Sequence, residues 1–336
     1  MKFSQMEYKR PGLDEIKAGL SRMVKQLEQA VSFQEAERVF LEKEAQTARV
    51  QTMFTLVFIR HTIVTRDPFY TVEQEYADSA LPVIEEAVQQ WNAALLASPY
   101  RAEFEAKYGS VMFVNLELEK KTFDASIISS LQRENALVTE YTDLLASAQI
   151  PFEGGLYTLA QMVPLKLDRC DSRRLAAWKA EGAFYNAHAD KLDAIFAEMT
   201  SLRDAMGRAL GFDNYLGLGY CRMTRNCYGP AELERFRENV RRHVVPLAER
   251  LKAEQARRIG RPYPLDYADD ALSFRSGNPV PCIDSEGILA AGRDFFHSLG
   301  DETAQFIDFM FDNELLDVTA RKGKAGGGYC TELYAY

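Results

Sequence analysis

Residues 13–31 read LDEIKAGLSRMVKQLEQAV. In this stretch Leu13, Ile16, Leu20, Met23, Leu27 and Val31 step by three or four residues, which places them on one face of an amphipathic helix. Outward from it the same period dominates the chain. Ser32 with Glu35 has capping-box spacing and opens a second helix. Thr71 with Gln74 repeats the signal before a helix running to about Ala97, where Ser98-Pro99 stops it. Further helices are predicted over 125–148, 172–210, 230–259, 284–299 and 301–315. The 172–210 stretch is one long helix or two, because Gly182 weakens its middle by about 1 kcal/mol relative to alanine. Within it Leu192, Ile195, Phe196, Met199, Leu202, Met206 and Leu210 form an apolar stripe that calls for burial, and Gly211 supplies the stop. Gly229-Pro230 opens the next helix, with Leu233, Phe236, Val240, Val244, Leu247 and Leu251 facing inward and Gly260 closing it. Pro246 inside that pattern predicts a kink, since proline removes one ladder hydrogen bond.

Strand signals are few. Val111 to Leu118 alternates weakly and suits either a short strand or more helix. In Gly326 to Leu333 three glycines lead into Tyr329, Cys330 and Thr331, residues that favour a pleated backbone, so a strand entered from a flexible turn is expected. With no repeats at solenoid period and no low-complexity linker, the fold class is mainly α: one large helical body with a short edge strand or small sheet near the C-terminal end.

The 336 residues are 47% hydrophobic and 26% charged, the composition of a folded chain with a real core. Against 49 acidic side chains stand 40 basic ones, a formal charge of -9, which removes the usual electrostatic reason for binding nucleic acid or an anionic membrane. The basic run Arg241, Arg242, His243 is too short to alter that. The first residues, from Met1 to Glu7, lack the apolar stretch of a secretory signal. The most apolar window, Met53 to Ile59, is halted by Arg60 and His61, far short of the roughly 20 residues that span a bilayer. A cytoplasmic protein is expected. Its five cysteines, Cys170, Cys221, Cys227, Cys282 and Cys330, are odd in number and show no C-x-x-C pair, which favours reduced thiols.

A metallopeptidase helix carries H-E-x-x-H because residues four apart share a face, so two imidazoles reach one zinc while the glutamate activates its water. No such motif occurs. His61, His188, His243 and His297 lack a second histidine at helical spacing, and structural or surface roles are expected for them. There is no G-x-S-x-G elbow, Walker loop or dinucleotide fingerprint. Gly217-Leu218-Gly219 follows no strand and reads as a helix–helix turn. Cys221 and Cys227 are poorly spaced for zinc. The acidic pairs Glu117/Glu119 and Asp269/Asp270 read as solvated surface.

Several segments together resemble the oligoendopeptidase F and thimet oligopeptidase family of zinc metallopeptidases. One is Leu210-Gly211-Phe212-Asp213-Asn214-Tyr215-Leu216-Gly217-Leu218-Gly219-Tyr220, followed by Arg222-Met223, Arg225 and Cys227-Tyr228-Gly229, with Cys227 where the family often has aspartate. Another is Ser276-Gly277-Asn278-Pro279-Val280-Pro281. The most specific is Arg321-Lys322-Gly323-Lys324-Ala325-Gly326-Gly327-Gly328-Tyr329-Cys330-Thr331. Arg60, Thr65, Asp67-Pro68-Phe69-Tyr70, Glu73 and Glu153-Gly154-Gly155-Leu156-Tyr157-Thr158-Leu159 also fit, so the likeness covers nearly the whole chain.

The resemblance implies a helical body forming one wall of a peptide channel, with 1–200 an amino-terminal helical region and 201–336 the first part of a catalytic region. It implies hydrolysis of short oligopeptides in the complete protein, with zinc held by two histidines of H-E-x-x-H and a more distant glutamate. None of those ligands is in this chain, for which no specific zinc is expected and no catalytic residue is assigned. Since the sequence stops at Tyr336 before that motif, an incomplete and inactive chain is expected, with an exposed apolar surface that drives self-association. The segment carrying Gly327, Gly328, Tyr329 and Cys330 is the candidate substrate-binding element, through backbone pairing with an extended peptide. The alternatives are a non-catalytic helical peptide-binding or scaffold protein ending at Tyr336, and a helical interaction module sharing only its packing with peptidases.

Overall fold

The computed structural model describes residues 1–335. The first predicted helix forms as α1 (Leu13–Gln29), with Ile16, Leu20, Met23 and Leu27 buried. Ser32 caps α2 (Phe33–Ile63) by accepting the Glu35 N–H, while the Glu35 carboxylate reaches back to the Val31 N–H at 3.0 Å. The next helix, α3 (Pro68–Leu96), starts three residues before the predicted Thr71 signal. Asp67 is its cap, accepting from Phe69 and Tyr70, and Pro68 stands at the first position, where a missing N–H costs nothing. The Thr71 hydroxyl instead donates to the Asp67 carbonyl at 2.8 Å.

These three helices pack together, joined by α4 (Arg101–Tyr108) and α5 (Ser110–Glu119). Val111 to Leu118 is therefore helix, with Phe113 as its fully buried residue. Met23, Val39, Phe40, Trp91, Leu95, Phe104 and Phe113 form the largest core, with the Phe33 and Phe104 rings edge to face at 5.1 Å. Truncating the buried Trp91 to alanine at such a site costs about 3–5 kcal/mol.

A second core lies under a β-hairpin. Strands β1 (Ile150–Phe152) and β2 (Gly155–Tyr157) pair antiparallel, Ile150 opposite Tyr157, around a two-residue turn at Glu153 and Gly154, both at positive φ. Ile150 and Phe152 pack on Met162 of α7 (Leu159–Leu165) and Ala177 of α8 (Asp171–Ala187). The sheet expected near the C-terminal end thus sits in mid-chain. No strand forms over Gly326–Leu333.

The predicted 172–210 stretch is two helices, broken at His188 rather than at Gly182, giving α9 (Ala189–Ala209). Gly207 lets the next helix, α10 (Tyr215–Arg222), approach closely, since a Cβ there would lie 2.8 Å from the Asn214 backbone. Gly217-Leu218-Gly219 is inside α10, with Leu218 buried against Ile127 and Met206. The α9 stripe is only partly covered: Ile195 and Met206 are buried, but Phe196 is 71% exposed.

The 230–259 helix forms as α11 (Pro230–Asn239) and α12 (Val245–Ile259), joined without interruption by a π turn over Val240–Val244. Pro246 stands in the first turn of α12, one residue past the π turn, where the regular ladder is already displaced, so the distortion takes the form of a π turn. The face predicted to point inward does not: Phe236, Val244, Leu247 and Leu251 are exposed, Leu251 by 57%. Their spacing gives one apolar face, but nothing among the described residues covers it. The hairpin of α13 (Ser285–Leu299) and α14 (Asp301–Asp312) likewise exposes Phe295, Leu299, Phe306 and Phe309. The two α13–α14 helices pack on each other, and the chain beyond α14 binds the N-terminal residues through Phe3 N–H to Asn313 O at 2.9 Å.

One buried acid ties the middle of the molecule together. Glu134, on α6 (Ile128–Ala146), accepts from Arg203 of α9 at 2.6 Å and from Arg222 of α10 at 2.8 Å. Burial pushes its carboxyl up, but the two guanidinium groups outweigh that and hold it below its ordinary value. The folded value lies under the unfolded one, so this stabilisation is complete above roughly pH 4.3 and is lost as pH falls through the folded value. Glu134→Gln should therefore cost about 3 kcal/mol in chemical denaturation at pH 7, and less in acid, by leaving two guanidinium groups without their anion. The matched change at the exposed Glu198, which pairs with Arg133, should barely move the midpoint.

Candidate functional site

The C-terminal segment lies along the last turns of α2, and the chemistry of those turns decides how it is held. Asp317 is gripped by Arg321 through two hydrogen bonds, at 2.8 and 2.6 Å, and by Lys324 at 2.7 Å. Arg321 above all holds the Asp317 carboxyl far below the usual carboxylate range, against the opposing effect of burial and with further help from Lys324. This clasp folds residues 317–324 into a compact loop. The loop docks on α2 through Thr65, whose N–H and hydroxyl both donate to the Gly323 carbonyl, at 2.8 and 3.0 Å.

The glycine-rich run begins there. Ala325 N–H donates to the Thr62 carbonyl at 2.8 Å. Four residues on, the Tyr329 hydroxyl meets Thr62 Oγ1 at 2.6 Å, and its ring packs on Phe58 with centroids 5.0 Å apart. Burial pushes the Tyr329 phenol up. A Cβ on Gly326, Gly327 or Gly328 would meet no atom within 4 Å, and Gly327 has φ +80°, a conformation suited to glycine. Cys330 is an exposed free thiol.

Among the described residues, no backbone N–H or C=O from Gly326 to Glu332 has a hydrogen-bond partner, and a turn follows at Tyr334 and Ala335. Pairing resumes at Ala335, whose N–H donates to the buried Thr52 hydroxyl at 3.0 Å. The four sequence-predicted residues, Gly327, Gly328, Tyr329 and Cys330, are thus neighbours in one exposed, unpaired segment rather than a strand in a sheet. A strand needs a partner ladder, and none is present among the described residues. That Thr52, Phe58 and Thr62 of α2, with Thr65 just beyond it, hold the segment was not legible from local sequence, because the bonded pairs lie 258 to 283 residues apart.

The histidines are scattered. His188 Nδ1 lies 2.8 Å from the Phe184 carbonyl, and His297 shares Asp308 with Arg293. His61 is buried, with Nε2 3.5 Å from Asp143 Oδ1 and no hydrogen bond between them. Burial pushes the carboxyls of Asp143 and neighbouring Asp78 up. Among the described residues no group of three His, Cys, Asp or Glu side chains is arranged to hold a metal, so these residues do not fit a zinc site. Asp269 departs from the solvated-surface expectation: it pairs with the buried Arg174 and with Arg261, clasping α8 to the 260–272 loop. An open depression of about 600 Å³ is lined by Trp178, Glu181, Tyr185 and Tyr267, with Glu181 held by Lys166 at 2.6 Å. Among the described residues no helix is long and apolar enough to cross a membrane.

The fold that these elements make, a mainly helical body with a glycine-rich segment laid on a long helix, is shared with known peptidases. Residues 3–123 match the peptidase M3 N-terminal domain family. Three solved structures share the fold of 99% of the chain: a PZ peptidase A with an inhibitor (37% identity, TM-score 0.96), and two chains assigned as oligoendopeptidase F, one from Bacillus anthracis str. Ames (37%, 0.97) and another at 38% and 0.97. The chain carries the N-terminal domain of peptidase M3 and the fold of the M3-family oligoendopeptidases. It spans 59%, 61% and 59% of the lengths of these relatives. No curated protein matches it.

Proposed function

We propose that the complete protein is a zinc-dependent metalloendopeptidase of short oligopeptides and that this chain supplies one wall of its peptide channel, itself without hydrolytic activity. The family match supports the class of reaction. The observation that carries the role of this chain is the backbone from Gly326 to Glu332, unpaired among the described residues and held against α2 at Ala325, Tyr329 and Ala335. Such a run can pair with an extended substrate through main-chain hydrogen bonds, which give affinity without demanding a particular sequence. In this reading Gly327 and Gly328 leave room for the substrate backbone, Tyr329 fixes the segment, and Cys330 continues the edge. The zinc and its ligands come from sequence other than the residues described here. A cytoplasmic setting belongs to the same reading, supported by five free cysteines.

The reading also accounts for the uncovered faces of α11, α12, α13 and α14, as surfaces made to be covered by the remaining part of the channel. Apolar patches of that kind drive association. The isolated chain should bind a hydrophobic dye strongly and sediment as oligomers at micromolar concentration; a monomer with no dye binding would contradict this.

Gly328→Val puts a branched side chain into open space on the segment and touches none of its supports. Its melting temperature should match that of the unaltered chain, while calorimetric titration with the blocked pentapeptide acetyl-Ala-Gly-Ala-Gly-Ala-amide should show affinity reduced by about tenfold or more. Equal affinities would remove the segment from the binding site.

A further inference from the structure

Thr62 holds both ends of the triglycine run. Its carbonyl accepts the Ala325 N–H at 2.8 Å, and its hydroxyl meets the Tyr329 hydroxyl at 2.6 Å. Between these two attachments lie only Gly326, Gly327 and Gly328, whose backbone has no other support among the described residues. Local freedom in the run is therefore limited by one residue of α2.

The direction of the second bond follows from proton counting. A threonine hydroxyl has one proton, and that of Thr62 is donated to the Ile59 carbonyl at 2.9 Å. Both bonds of Thr62 Oγ1 are made together only when Tyr329 donates and Thr62 accepts, because the Ile59 carbonyl can take nothing but the Thr62 proton. The bond is half-buried: Thr62 is buried, and the Tyr329 ring, itself partly open to water, leans on Phe58. Removing the acceptor would leave the phenol to find water, and the ring would lose its fixed orientation.

We propose that Thr62 is a positioning residue, which by accepting the Tyr329 hydroxyl proton fixes the bow of Gly326–Gly328 in the line an extended peptide must follow. This inference rests on the peptide-binding reading given above. It assigns no contact between Thr62 and the peptide; the effect passes through Tyr329.

Three versions of the chain, unaltered, Thr62→Val and Thr62→Ser, test it by titration with acetyl-Ala-Gly-Ala-Gly-Ala-amide. Valine matches threonine in shape but lacks the acceptor, whereas serine keeps it. Thr62→Val should weaken the peptide about fivefold, the worth of one ordinary hydrogen bond, and Thr62→Ser should restore affinity to within about twofold. Tyr329→Phe, which removes the donor from the other side, should weaken binding to the same extent as Thr62→Val, and the double variant should lose no more than either alone. Unchanged affinity in Thr62→Val overturns the inference while leaving the peptide site standing. Weakening that serine does not relieve, or additive losses in the double variant, also overturn it, because the loss would then come from general damage to α2. Absence of binding by the unaltered chain sinks the peptide reading itself, and this inference with it.

Discussion

A single helix, α2, joins the core of the molecule to its candidate site. Its 31 residues extend about 46 Å at the usual helical rise. The first half buries Ala36, Val39 and Phe40 in the main core, and the last turns present Phe58 and Thr62, with Thr65 just beyond. The position of the glycine-rich segment is thereby set by packing that lies several turns away. A disturbance of the α1–α3 core would reach the segment as a tilt of α2, without any change in the residues that touch it.

The support is uneven in a way that suits this arrangement. Attachments occur at Gly323, Ala325, Tyr329 and Ala335, while among the described residues the backbone from Gly326 to Glu332 has no hydrogen-bond partner. Exposed backbone of this kind is satisfied by water, so pairing with a peptide exchanges one set of partners for another, and the net gain per bond is modest. Affinity built this way depends on several bonds being aligned at once, which is why the fixed points matter more than any one contact.

Helix existence was legible because a periodic apolar face is a local property, and α1, α2, α6 and the 230–259 helix lie close to where the spacing places them. The same property misled where covering was assumed. Phe196, Phe236 and Leu251 have the spacing of a buried stripe yet face solvent, since periodicity shows that a face calls for a partner but not which residues supply it. The β1–β2 hairpin was missed because two strands of three residues are too short to display a period of two, and only the glycine at position 154 marked its turn. The opposite error arose at Gly326–Leu333, where aromatic and β-branched residues give strand propensity but the partner strand is not among the described residues. Tyr329 and its neighbours were singled out through a family likeness, whereas Thr62 could be found only once the fold had brought positions 62 and 329 together.

The central claim is that the backbone from Gly326 to Glu332 is pinned to α2 yet unpaired by any other described residue. Residue-resolved amide hydrogen exchange of the free chain at neutral pH measures it directly. Ala325 should be protected through its bond to Thr62, and the amides from Gly326 to Glu332 should exchange at close to the rate of an unstructured peptide. Protection across 328–332 comparable to that of α2 would mean that the edge is already paired, and the account would fail.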